Sequence, residues 1–149
     1  MSRCDPPLGR VLASLYRHVE KAVSDAGLSL PQYRALSFLS DETAASAASR
    51  LAERLAVSRP AITALVDGLV ARGWVERRVA ESDRRRVDHV LTPSGRSALH
   101  TADDAVNARL GDLAARLDDR ERDGAIDGLA MWGQAIESAR LARLVELAE

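Results

Sequence analysis

Three consecutive arginines, Arg84, Arg85 and Arg86, follow directly on Asp83. A guanidinium is planar and permanently charged, with a fork of donors that suits phosphate oxygens and the minor groove of a duplex. Asp83 can pair with a neighbouring arginine and hold it in position, which leaves the others for a ligand. A second set, Ser58, Arg59, Pro60 and Thr63, opens an amphipathic segment. Ser58 suits an N-cap and Pro60 the first turn of a helix. Arg59 and Thr63 are residue types that enter a major groove at a helix N-terminus. Arg59 either bonds a guanine edge bidentately or reaches a phosphate. The plainer readings are a solvated charge run at a turn and an ordinary amphipathic helix with one wet face. The two sets occur at the right distance from one another, and that favours the DNA reading. Arg77, on the strand between them, joins the candidate contacts.

Charge is segregated in the same sense. From Arg50 to Arg96 there are ten arginines against six acids, a net +4, while the remainder has eleven basic and sixteen acidic residues, a net −5. A basic middle is a modest electrostatic footprint for phosphate. Catalysis finds little support. His18, His89 and His100 lie on separate elements, and none has metal-ligand spacing to another His, Cys or carboxylate. No phosphate-cradling glycine loop or nucleophile motif is visible. The sequence predicts no enzyme, no metal and no cofactor. No run of ~18 apolar residues is present, so no membrane span is expected. The single cysteine, Cys4, excludes an intramolecular disulfide and fits a reducing cytoplasm.

The elements that must position these residues follow from periodicity. Leu8, Val11, Leu12, Leu15, Val19, Ala22 and Val23 keep helical spacing, and Gly27 closes that helix. A second helix spans Leu30 to Leu39, followed by a loop from Asp41. Thr43 or Ser46 is expected to cap a short third helix ending near Leu55. After the turn Ala56-Val57-Ser58, a fourth helix carries Ile62, Leu65, Val66 and Leu69 inward and ends at Gly73. The period then shortens. Trp74–Val79 and Val87–Leu91 read as strands, with Ala80–Arg86 as the hairpin loop between them. Thr92 and Pro93 start a fifth helix, and Asp118 with Glu121 forms a capping box for a sixth. Two helices joined by a three-residue turn and followed by a basic hairpin describe a winged helix, in a chain that is mainly α (α+β).

The residues carrying this arrangement resemble the MarR family of transcriptional regulators. Leu51–Pro60 resembles that family's helix-turn-helix, and Val66–Arg77 the end of its recognition helix with the first wing strand. Asp83-Arg84-Arg85 followed by Leu91-Thr92-Pro93-Ser94-Gly95 resembles its wing and fifth helix, and Leu30–Tyr33 the start of its second. The similarity spans about residues 8 to 145. It implies a homodimer with interlocked N- and C-terminal helices, and hence three regions: a dimerisation helix in 1–29, a DNA-binding domain with a two-stranded β wing in 30–92, and dimerisation helices in 93–149. It also implies a pseudopalindromic operator in double-stranded DNA with half-sites roughly 10 bp apart. Repression is the expected sign, with release by a phenolic or other aromatic effector. By the same resemblance Tyr16 and Tyr33 line the effector pocket and Arg17 pairs with an anion. The alternative for both tyrosines is core packing with a satisfied hydroxyl.

The chain departs from the family in places. Ala64 and Gly68 stand where recognition helices often carry basic residues, so the wing is expected to supply more of the affinity. Ala80 replaces a common wing acid, and Leu12 stands where some relatives carry a peroxide-sensing cysteine. A thiol-based redox switch would have to use Cys4, ahead of the first helix. The remaining alternative is a winged helix used only for protein contacts, which would have no need of the arginine run.

Overall fold

The computed structural model describes residues 7–41, 46–80 and 83–146. The side chains of residues 41, 46, 83, 140 and 143–146 lie outside that description, as do Cys4 and Thr43. In chain order the elements are α1 (Leu8–Asp25), α2 (Leu30–Asp41), β1 (Ser46–Ala47), α3 (Ala48–Leu55), α4 (Arg59–Ala71), β2 (Val75–Ala80), β3 (Asp83–Leu91), α5 (Pro93–Ala114) and α6 (Asp119–Glu146). Residues up to Arg109 form one compact unit and those from Leu110 onward a second.

In the first unit, α1 closes as its glycine predicts. Gly27 adopts φ +85°, and the amides of Gly27 and Leu28 donate back to Ser24 O (3.0 Å) and Val23 O (3.1 Å). These bonds satisfy carbonyls that the helix end leaves open. Ser29 and Gln32 form a reciprocal capping box at the start of α2, with Ser29 N donating to Gln32 Oε1 at 2.9 Å and Gln32 N to Ser29 Oγ at 3.3 Å. The core is built from Val23, Leu36, Leu51, Ile62, Val66, Leu69 and Val75, none more than 2% exposed. Each such side chain contributes about 1.5–3 kcal/mol by leaving water. Four of them (Leu51, Ile62, Val66 and Leu69) belong to α3 and α4, so the helix-turn-helix angle is set by apolar packing.

Three features of the sheet differ from the sequence expectation. A short strand, β1, pairs antiparallel with β3, placing Ser46 opposite His89 and Ala47 opposite Asp88. The two-stranded wing is present, on a sheet of order β1-β3-β2. Ser46 is therefore not the cap of α3, because its backbone is extended to meet β3. Ala47 takes the N-cap position with no side-chain cap bond. The third difference is the length of β3. Asp83–Arg86, expected in a loop, lie within the strand.

The second unit is helical. Asp118 and Glu121 make the predicted capping box, with Glu121 N donating to Asp118 Oδ1 at 2.8 Å and Asp118 N to Glu121 Oε2 at 3.3 Å. Arg122 closes the corner by donating to Ala114 O at 3.3 Å. Ile126, Leu129, Trp132 and Ile136 of α6 are exposed at 56%, 47%, 65% and 62%. In the first unit Leu8, Leu12 and Tyr16 of α1 are likewise exposed. Among the described residues no helix is long and apolar enough to cross a membrane, and no cluster of His, Cys, Asp and Glu is placed to hold a metal ion.

Candidate nucleic-acid interface

The turn between α3 and α4 fixes where the first candidate cations stand. Ala56 takes the left-handed conformation at φ 55°, uncommon for a residue with a Cβ. Val57 N then donates to Ala52 O at 3.1 Å, which closes α3 and redirects the chain. Ser58 caps α4 as expected, its Oγ accepting from Ala61 N at 3.4 Å, and Pro60 lies in the first turn. Ser58, Arg59, Pro60 and Thr63 all lie at this helix start, and all four are exposed. The Thr63 hydroxyl donates to Arg59 O at 3.0 Å. Its donor is thus used inside the helix, and what it offers outward is an acceptor oxygen and a methyl group, both useful at a base edge.

The wing is organised by ion pairs. Arg77 on β2 pairs with Asp67 on α4, bracing the first wing strand against the recognition helix. Arg78 pairs with Glu76 on its own strand. In the β2–β3 ladder Val79 lies opposite Val87, and the next pair is Ala80 with Asp83. Arg84, Arg85 and Arg86 therefore stand on β3 with no residue opposite them on β2, and the arginine run is a bulge in the ribbon. Arg84 and Arg85 are exposed. Arg86 is held by Asp88, from Nε to Oδ1 and from Nη2 to Oδ2, both at 3.0 Å. Asp88 is 5% exposed. The expected partner for a wing arginine, Asp83, has its side chain outside the described residues. Asp88 was legible in principle, because residues i and i+2 of a strand share a face.

A lock joins the end of α4 to the start of α5. The Thr92 hydroxyl donates to Gly73 O at 2.7 Å and accepts from Gly95 N at 3.0 Å. Thr92 N donates to Trp74 O at 3.0 Å. A Cβ on Gly95 would lie 2.0 Å from Trp74 O, so the Leu-Thr-x-x-Gly motif marks a close backbone crossing. Arg72 stacks over Trp74 at 3.9 Å and donates to Gly27 O at 2.9 Å, which ties the same point to the α1–α2 turn.

The expected effector residues differ in their surroundings. Tyr33 is half-buried and donates to Asp103 Oδ1 on α5 at 2.7 Å. Burial, then that bond, pushes its phenol up to about 12. The neutral phenol is thus favoured by folding, and that stability is fully present below the ordinary value near 10 and lost as pH rises towards about 12. Tyr16 is exposed, and Arg17 Nη2 lies 3.4 Å from Ser14 Oγ. Among the described residues no hydrogen bond joins Tyr16 or Arg17 to Tyr33.

Comparison with known proteins agrees with this arrangement. A model of the MarR family matches residues 26–86. The transcriptional repressor Rv2887 of Mycobacterium tuberculosis is 34% identical over 117 residues, covering 76% of this chain and 84% of the relative. The solved structure of Rv2887, a MarR-family protein, in complex with p-aminosalicylic acid superposes with a TM-score of 0.66 at 27% identity, over 86% of this chain and 99% of that one. The repressor CouR bound to a 23-mer DNA duplex superposes with a TM-score of 0.67 at 28% identity, over 85% and 89%. The chain belongs to the MarR family and is a winged helix-turn-helix, DNA-binding transcriptional regulator.

Proposed function

We propose that the protein represses transcription as a homodimer on a pseudopalindromic operator, acts in the cytoplasm, and is released by a small aromatic effector. Each subunit places α4 in a major groove, with Ser58 and Arg59 on phosphates or a guanine edge and Thr63 against a base. The bulged Arg84–Arg86 segment lies along the adjacent minor groove, with Asp83 and Arg77 helping to position it. The observation that carries this reading is an arginine bulge on a wing whose first strand is braced, through Arg77 and Asp67, to the same helix that presents Ser58, Arg59 and Thr63.

A second copy of the chain accounts for the exposed apolar residues of α1 and α6, which make residues 1–29 and 93–149 the dimerisation regions and 30–92 the DNA-binding domain. A solvent-facing Trp132 and Ile136 would be costly in a monomer. The bound p-aminosalicylic acid of Rv2887 supports an aromatic effector here, with Tyr16, Arg17 and Tyr33 as its first candidates. Effector binding alters the spacing of the two recognition helices, and the dimer then no longer spans both half-sites at once.

A gel-shift titration of the purified chain against its own upstream intergenic DNA at two salt concentrations tests the reading. The expected result is a specific complex that weakens at the higher salt. Absence of any salt-sensitive complex, on this DNA and on a randomised duplex pool, would point to a module used for protein contacts.

A further inference from the structure

The two faces of the β2–β3 ribbon are unlike. Side chains alternate along a strand, so the facing pairs Val75–Leu91, Arg77–His89 and Val79–Val87 lie on one face. Glu76, Arg78, Arg86 and Asp88 belong to the other, where Glu76 pairs with Arg78 and Asp88 with Arg86. The first face is the one turned to the recognition helix, since Arg77 reaches Asp67 on α4 from it. Its inner pair, Val75 with Leu91, is buried in the core, and its outer pair, Val79 with Val87, is exposed. An apolar stripe therefore continues past the body of the protein, on the same side of the ribbon as α4, and ends where the arginine bulge begins. Arg84 and Arg85, within three residues of Val87, are exposed as well.

Two apolar side chains edged by guanidiniums match the minor groove of a duplex. Phosphates line the rims of that groove and deoxyribose C–H groups its walls. On the floor, a G·C pair carries the guanine 2-amino donor where an A·T pair has only the apolar C2–H of adenine.

We propose that the Val79–Val87 pair seats in the minor groove and selects A·T pairs there by excluding the guanine amino group. This rests on the reading of the bulged wing as a minor-groove element. Valine has no acceptor, so an amino group covered by this pair loses its water and gains no partner, which should weaken binding about fivefold or more. Adenine C2–H meets the same isopropyl groups as one apolar surface meets another. The wing thereby reads sequence at base pairs that α4 does not touch, while its arginines hold the phosphates on either side.

A cross-strand valine pair also steadies the ribbon itself. Threonine is equally β-branched and keeps that role at an exposed position, but its hydroxyl can accept from a guanine amino group. Anisotropy titration of the full chain against two labelled duplexes of equal length, alternating dG-dC and alternating dI-dC, separates the two roles. Inosine shows the major groove the same edge as guanine and lacks the 2-amino group, so the duplexes differ in the minor groove. The wild-type chain should bind dI-dC about fivefold or more tighter than dG-dC. The double variant Val79→Thr, Val87→Thr should lose most of that preference, with an unchanged log–log salt slope because no charge is altered. Val79→Thr alone, at the more exposed position, should lose part of it. Equal affinity of the wild-type chain for the two duplexes would overturn the proposal, as would a preference that both variants retain. Either result leaves the arginine wing and the DNA-binding reading standing. A wild-type chain that binds neither duplex at low salt would overturn the wing reading together with the proposal.

Discussion

The recognition helix and the wing are held in different ways. On α4, Ile62, Val66 and Leu69 are at most 2% exposed, and the ends are closed by backbone and side-chain caps. On the wing, the facing pair Val79 and Val87 is exposed at 61% and 42%. There the ribbon depends on its ladder and on ion pairs, Arg77 with Asp67 and Arg86 with Asp88. Apolar burial is little affected by salt and the Arg86–Asp88 pair, with its carboxylate buried, only weakly so, whereas the exposed Arg77–Asp67 pair weakens as salt rises. The helix is thus a fixed element and the wing an adjustable one, and salt should loosen the wing first.

The largest expected effect lies at the junction the two regions share. Gly95→Ala forces a Cβ into Trp74 O and should lower unfolding stability by about 3 kcal/mol, read as a lower urea midpoint with unchanged slope. A decrease below about 0.5 kcal/mol, the level of an ordinary surface change, would show that the junction yields easily. Next comes the helix itself. Ser58→Ala removes the cap bond to Ala61 N and should cost about 1 kcal/mol, equally at low and high salt. The smallest effect belongs to the wing brace. Asp67→Ala breaks an exposed pair and should cost no more than about 0.5 kcal/mol, a difference that vanishes at high salt. If Ser58→Ala proved salt-sensitive and Asp67→Ala did not, the contrast between the two regions would be wrong.

The parts of the fold legible in the sequence were those with local causes. Gly27, Ser58, Thr92 and the Asp118–Glu121 box each mark a helix end through a bond made within a few residues. The strand β1 has two residues, no period, and a partner more than forty positions away, so nothing local announces it. The extension of β3 was hidden for another reason. Asp83–Arg86 lack the apolar alternation of a half-buried strand, because a ribbon wet on both faces does not need one. The arginine run was legible as a cation cluster. Its anchor on Asp88 was legible in principle from the i, i+2 spacing, whereas the Arg77–Asp67 brace and the Tyr33–Asp103 bond became visible only with the chain folded, because they join different elements.

The most direct test is fluorescence anisotropy of the wild-type chain and Arg85→Ala on a labelled operator duplex across a range of salt. The expected outcome is weaker binding by Arg85→Ala on specific and random duplexes alike. Its log–log salt slope should be shallower by ~0.9 for each phosphate that the variant no longer neutralises. An unchanged affinity and an unchanged slope would contradict the wing as a DNA-binding element and leave α4 alone on the duplex.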